Sequence, residues 1–106
     1  MNRSSLVALV TGVHTDRCSL LINKNADYAG EDALANFKRM SQMCKLLRID
    51  PSKSAVDAAL FLALLKFDRW TNLRAKGTEP KNESIKDTVC DLHNYIDLAF
   101  ACSKDT

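Results

Sequence analysis

Glycine and proline are scarce in this chain, with three of the first and two of the second among 106 residues. A protein of many short strands needs more of both at its turns, so a strand-rich fold is excluded. The chain also lacks an excess of either charge. It has 15 basic and 13 acidic residues, for a net charge of +2. Basic clusters such as Lys38-Arg39 or Arg74-Ala75-Lys76 are short. A nucleic-acid binder carries a basic stripe, so nucleic acid is not an expected partner. There is no C-x-x-C pair, and His14 and His93 are not spaced like zinc ligands. Cys18, Cys44, Cys90 and Cys102 are therefore expected as reduced thiols, three of them in apolar-leaning helices as small buried hydrophobes. No segment approaches the roughly 18 apolar residues of a membrane span. The run at 6–10 is too short for a signal-peptide core. The expectation is a soluble, cytoplasmic protein. Catalytic signatures are missing too: there is no Ser-His-Asp arrangement, phosphate-cradling glycine loop or H-E-x-x-H motif.

What is present reads as helix. Hydrophobic residues make up 46% and charged residues 26%, a globular balance in a length that suits one domain. The expected fold is all-α, a compact bundle of about four helices forming a single domain over 1–106. Ser4 or Ser5 caps a short first helix that Gly12 closes, and 13–30 reads as loop, with a polar stretch at its end. A second helix spans 31–48, acidic at its start (Glu31, Asp32) and basic at its end (Lys45, Arg48), as the helix dipole prefers. Leu34, Phe37, Met40, Cys44 and Leu47 form its apolar stripe. Asp50-Pro51 breaks the chain before a third helix, about 54–75, which Gly77 and Pro80 end. The centre of that helix, 58–65, is apolar on every side and must be surrounded. Four short helices can barely surround it, which points to a homo-oligomer, most simply a dimer built on this segment. Asn82 caps the last helix, 83–103. There Ile85, Val89, Leu92, Ile96, Ala99 and Phe100 gather on one side, and Glu83, Asp87, Asp91 and Asn94 on the other.

The acidic ridge Glu83, Asp87 and Asp91 is the most informative feature. Like charges four residues apart disfavour an isolated helix, so the ridge invites a compensating cation. Mg²⁺ would serve, since it takes one or two carboxylates together with phosphate oxygens. Lys66 and Arg69 would serve equally, and a solvated outer face is a third reading. Lys66 and Arg69 lie three apart on one helix face directly after the apolar segment. A pair so placed can hold phosphate, Arg by its planar fork and Lys as a point charge. Asp27 and Tyr28 supply a carboxylate and an aromatic ring. Asn36, Asn94 and Tyr95 can contact a ligand or serve neighbouring backbone. Trp70 reads as a packing anchor, and His93 has no acidic partner in view.

In chain order, Leu6-Val-Ala-Leu-Val-Thr-Gly12, Asp27-Tyr28-Ala-Gly30, Asn36-Phe37-Lys-Arg-Met40, Leu64-Leu-Lys66-Phe-Asp-Arg69 and Glu83-Ser-Ile-Lys-Asp87-Thr-Val-Cys-Asp91-Leu-His-Asn-Tyr95 resemble small phage and prophage proteins of the nucleotide-modification-associated type. The resemblance runs from about Leu6 to Cys102. That family is in turn similar to the MazG-like all-α nucleoside triphosphate pyrophosphohydrolases, which hold Mg²⁺ with an E-E-x-x-E segment on one helix and an E-x-x-D segment on the next. Here the first segment is missing, helix three offering only Asp57 and Asp68, and the second is altered to Glu83-x-x-x-Asp87-x-x-x-Asp91. The resemblance implies a nucleotide or nucleotide-like phosphate ligand, bound by Asp27, Tyr28, Asn36, Lys66, Arg69, Asn94 and Tyr95. Glu83, Asp87 and Asp91 would then be the metal residues. Two activities follow from it. One is a degenerate Mg²⁺-dependent pyrophosphohydrolase in the host-cell cytoplasm. The other is a non-enzymatic anti-defence protein that sequesters a nucleotide signal or blocks a host protein.

Overall fold

The computed structural model describes residues 1–29, 32–81 and 83–105, and four helices account for nearly all of them. They are α1 (Arg3–Tyr28), α2 (Ala35–Leu47), α3 (Ala55–Lys76) and α4 (Ile85–Lys104). No strand occurs among the described residues. The all-α expectation holds.

The helix ends are built locally. Asn2 Oδ1 accepts from the Ser5 N–H at 2.8 Å and starts α1. Ser54 and Ser84 accept from the N–H groups of Asp57 and Asp87, each at 3.1 Å, and start α3 and α4. The cap expected at Asn82 lies outside the described residues, as does Glu31. Gly77 ends α3 at φ 64, where the Gly77 N–H returns to Arg74 O and the Thr78 N–H to Leu73 O. Glycine suits that left-handed turn because it has no Cβ to clash. Arg48 ends α2 in the same region, at φ 60, and carries the steric cost that a glycine would avoid.

The loop expected over 13–30 is corrected: α1 runs unbroken to Tyr28, through Gly12. A glycine inside a helix costs only about 0.5–1 kcal/mol, and no proline stands before residue 51 to force a stop. Tertiary contacts fix the end of α1 instead. The last carbonyls of a helix have no partner within it and attract positive charge. Lys76 Nζ donates to Ala26 O and Ala29 O, each at 2.7 Å. Asn72 donates to Asp27 O at 3.1 Å and Arg39 to Tyr28 O at 2.8 Å. Three side chains from two other helices thus complete the end of the first.

α3 and α4 form an antiparallel hairpin, since Arg69 meets Thr88 while Lys66 meets Asp91. This hairpin buries Ala63, Leu64, Leu73 and Ala99. α2 lies on α3 through Arg39, and its buried residues are Asn36 and Met40. Arg39 clasps buried Asp68 with Nε at 2.7 Å and a terminal nitrogen at 3.0 Å. That clasp sets the rotation of α2 and corrects its expected stripe, because Leu34, Phe37 and Leu47 are exposed. α4 is rotated likewise: Thr88 and Ala99 are buried, whereas Ile96 and Phe100 face outward. The radius of gyration is 17.4 Å, against about 13 Å for a compact chain near this length. The compact bundle is therefore corrected to an open one, and the N-terminal part of α1 accounts for much of the difference.

Two composition-based expectations also change. By length and composition α1 could cross a membrane, because its apolar residues now belong to one helix of 26 residues. All four cysteines are free thiols, but none is buried: Cys18 and Cys90 are exposed, and Cys44 and Cys102 are half-buried.

Candidate functional site

The last turn of α1, the middle of α3, the connection into α4 and the first turn of α4 meet around Arg69. Its guanidinium is wholly buried and donates to Asp27 Oδ2 at 2.6 Å, to Thr88 Oγ1 and to Glu83 O. Asp27 is also wholly buried, and its Oδ1 accepts from the Lys81 N–H at 2.6 Å. A buried charge is tolerable only when its partners replace water, and here each ion has several. Of the residues expected to contact ligand, Asp27 and Arg69 are thus bound to each other and shut off from solvent, where they hold four chain segments together.

A cavity of about 370 Å³ opens beside this pair, lined by Tyr28, Asn36, Lys66 and Glu83 together with Leu21, Lys24, Asn25, Phe37 and Leu65. Such a volume falls in the small-molecule range. Three of the residues expected to bind ligand, Tyr28, Asn36 and Lys66, meet at this one place from three helices. Asn94 and Tyr95 do not line it: Asn94 is exposed on α4 and Tyr95 is half-buried further along.

The polar groups of the cavity are unequally satisfied. Lys66 Nζ bridges Glu83 Oε2 and Asp91 Oδ2, each at 3.1 Å. Burial pushes the Lys66 pKa down, but the hydrogen bonds that the ammonium donates to Glu83 and Asp91 outweigh it and leave the pKa raised. Hydrogen bonding from Lys66, and then from Glu83, holds the Asp91 carboxyl below the usual carboxylate range. Burial raises the Tyr28 phenol against the opposing pull of Lys66 and Arg69, so Tyr28 enters the cavity as a neutral hydroxyl. Asn36 is buried, and its Oδ1 has no hydrogen-bond partner among the described residues. An unsatisfied buried polar group costs about 1–3 kcal/mol. Lys24 at the rim also lacks an ion-pair partner there.

The expected metal set does not fit this arrangement. Glu83 and Asp91 converge, but on the Lys66 ammonium, and Asp87 stays exposed on the first turn of α4. Among the described residues no three His, Cys, Asp or Glu side chains gather as a metal site would require. The salt-bridge network that the sequence offered as the alternative is what forms. Sequence reasoning missed Lys24, Asn25, Phe37 and Leu65 as cavity residues and Thr88 as a buried anchor. Only the rotation of α2 and the extension of α1 bring the first three together, and no local motif encodes either. Comparison of the chain with protein-family models, curated proteins and solved structures gives no match.

Proposed function

We propose that the chain binds a nucleotide or a nucleotide-like phosphate compound in the cavity between α1, α2 and α3. The observation that carries this reading is the Asn36 amide, buried on the cavity wall with an unpartnered oxygen. A side-chain amide presents a donor and an acceptor side by side, the pairing that the edge of a nucleobase answers. The Phe37 and Tyr28 rings offer stacking surface. Lys24, without an ion-pair partner among the described residues, is a point charge for phosphate, and Lys66 can exchange one of its two carboxylates for a ligand oxygen. Asp27 and Arg69 contribute by position, fixing the end of α1 so that Tyr28 faces α2.

Binding without turnover is the better-supported form of this activity. Catalysis of phosphoryl chemistry by this architecture would need carboxylates directed at a cation, and the two that converge here are spent on Lys66. Sequestration of a nucleotide signal in the cytoplasm of a phage host is the biological setting we favour. The test is a thermal-shift screen of nucleotides and cyclic dinucleotides, with and without Mg²⁺. A ligand that binds only the folded chain raises the melting temperature by mass action, about 2.7 kcal/mol at a hundredfold excess over Kd. A stabilising nucleotide that survives incubation unchanged supports binding, release of pyrophosphate restores the hydrolase, and the absence of any shift removes the proposal.

A further inference from the structure

We infer that the exposed apolar stripe of α1 is a docking surface for a second copy of this chain. Leu6, Val13 and Leu20 repeat at seven-residue spacing along α1, with Leu9 and Val10 beside them, and each is about half exposed. Asp27 is the next position in that series, and it is wholly buried. The stripe therefore continues the side of the helix that packs against the body, but beyond the point where the body ends. Thr11 and Thr15 lie on the far side, although Val7, Leu21 and Ile22 outside the stripe are exposed as well.

The area decides what covers it. The chain exposes 7801 Å², whereas a compact monomer of its 11.8 kDa exposes roughly 5,900 Å². The excess of roughly 1,900 Å² per chain is above the ~800 Å² each partner loses in a standard interface and reaches the obligate range. A stripe of five side chains is too small to account for it alone. Ile96 and Phe100 on α4 add a second exposed apolar face on the same chain. A two-fold pair of identical chains can cover both kinds of face at once, since each copy supplies what the other lacks. A bilayer is the less favoured occupant, because Asp16 and Arg17 interrupt the stripe at mid-helix, seven residues after Leu9 and Val10. Each costs about 2.5–3.5 kcal/mol at the centre of a membrane. The inference is independent of the ligand reading, and it moves the oligomer contact from 58–65 to α1.

Sedimentation equilibrium of the full chain tests it, with Val13→Glu and Thr11→Glu compared against wild type. The two positions adjoin in sequence but face opposite sides of α1. Wild type should sediment at twice the 11.8 kDa chain mass at micromolar concentration, with a melting temperature that rises with protein concentration. Val13→Glu should weaken the dimer at least tenfold, and Thr11→Glu should change it less than twofold. Should Val13→Glu fail to fold, Leu6→Glu, nearer the free end on the same side, takes its place, and the concentration dependence of wild type stands without any variant. A monomeric wild type, equal effects of the two substitutions, or flotation of monomeric chain with phosphatidylcholine vesicles would each overturn the inference. Nucleotide binding is scored separately, so its loss or survival leaves this result readable.

Discussion

Arg69 and Asp27, separated by 42 residues in the chain, form an ion pair at 2.6 Å in which neither side chain reaches solvent. The pair ties the end of α1 to the middle of α3, and its remaining bonds extend to Thr88, Lys81 and the Glu83 carbonyl. Breaking such a pair by removing one member leaves the other charged and buried. Arg69→Met is expected to cost about 3–5 kcal/mol in urea unfolding. Adding Asp27→Asn should recover part of that loss, because the stranded charge disappears with it. An Arg69→Met chain as stable as wild type would show that the pair does not hold the fold.

Stability should depend on pH through Lys66 and Asp91. The Asp91 carboxyl is depressed in the folded chain, so its contribution is present above its unfolded pKa, about 3.9, and is lost as pH falls through the lower folded value. The Lys66 ammonium is raised, so its contribution is present below about 10.4 and is lost as pH rises through the higher folded value. Between those limits the pair stabilises the chain, though by only about 0.2–1 kcal/mol because Asp91 is well exposed. Melting curves across pH should show Asp91→Asn flattening the acid limb. An unchanged acid limb would dissociate the two residues.

Gly12 and Arg48 each hold a residue type ill suited to its backbone. A Cβ added at Gly12 would meet nothing within 4 Å, and alanine is the better helix former by about 1 kcal/mol. At Arg48, φ 60 favours glycine. Gly12→Ala and Arg48→Gly should each raise stability by about 0.5–1 kcal/mol in denaturant unfolding. A loss at Gly12 would mean that another chain approaches α1 closely on that side.

Tyr28 should ionise late on alkaline titration. Burial lifts Tyr28 above the ordinary phenol range. A spectrophotometric titration should therefore show one phenol ionising late, and Tyr28→Phe should abolish that late step. A titration that Tyr28→Phe leaves without loss of a late step would contradict the placement of Tyr28 in the cavity wall.

The helices themselves were legible in the sequence because their signals are local. Ser54 and Gly77 mark the ends of α3 without reference to anything distant, and the scarcity of turn residues excluded strands. Helix rotation and length were not legible. The stripe of Leu34, Phe37 and Leu47 reads as core, but Arg39 reaching Asp68 turns α2 so that Asn36 and Met40 face inward. No periodicity announces an ion pair across 29 residues. The full length of α1 is not legible for the same reason, since what sustains it past Gly12 to Tyr28 is Lys76, Asn72 and Arg39. Of the site, the pairing of Lys66 with Glu83 and Asp91 is one of the three readings that the acidic ridge allows. Asp27 and Arg69 read as ligand contacts in the sequence, and their complete burial as a pair is not legible there because the partners are 42 residues apart.

Asn36 carries the central claim, and replacing it separates function from stability. An unsatisfied amide buried for a ligand should cost the empty protein stability, so Asn36→Leu should leave the melting temperature of the free chain unchanged or higher. The same substitution should weaken the stabilising nucleotide at least tenfold in calorimetric titration, while Asn94→Ala, outside the cavity, should bind it as wild type does. A less stable Asn36→Leu chain that still binds nucleotide with wild-type affinity would contradict the account.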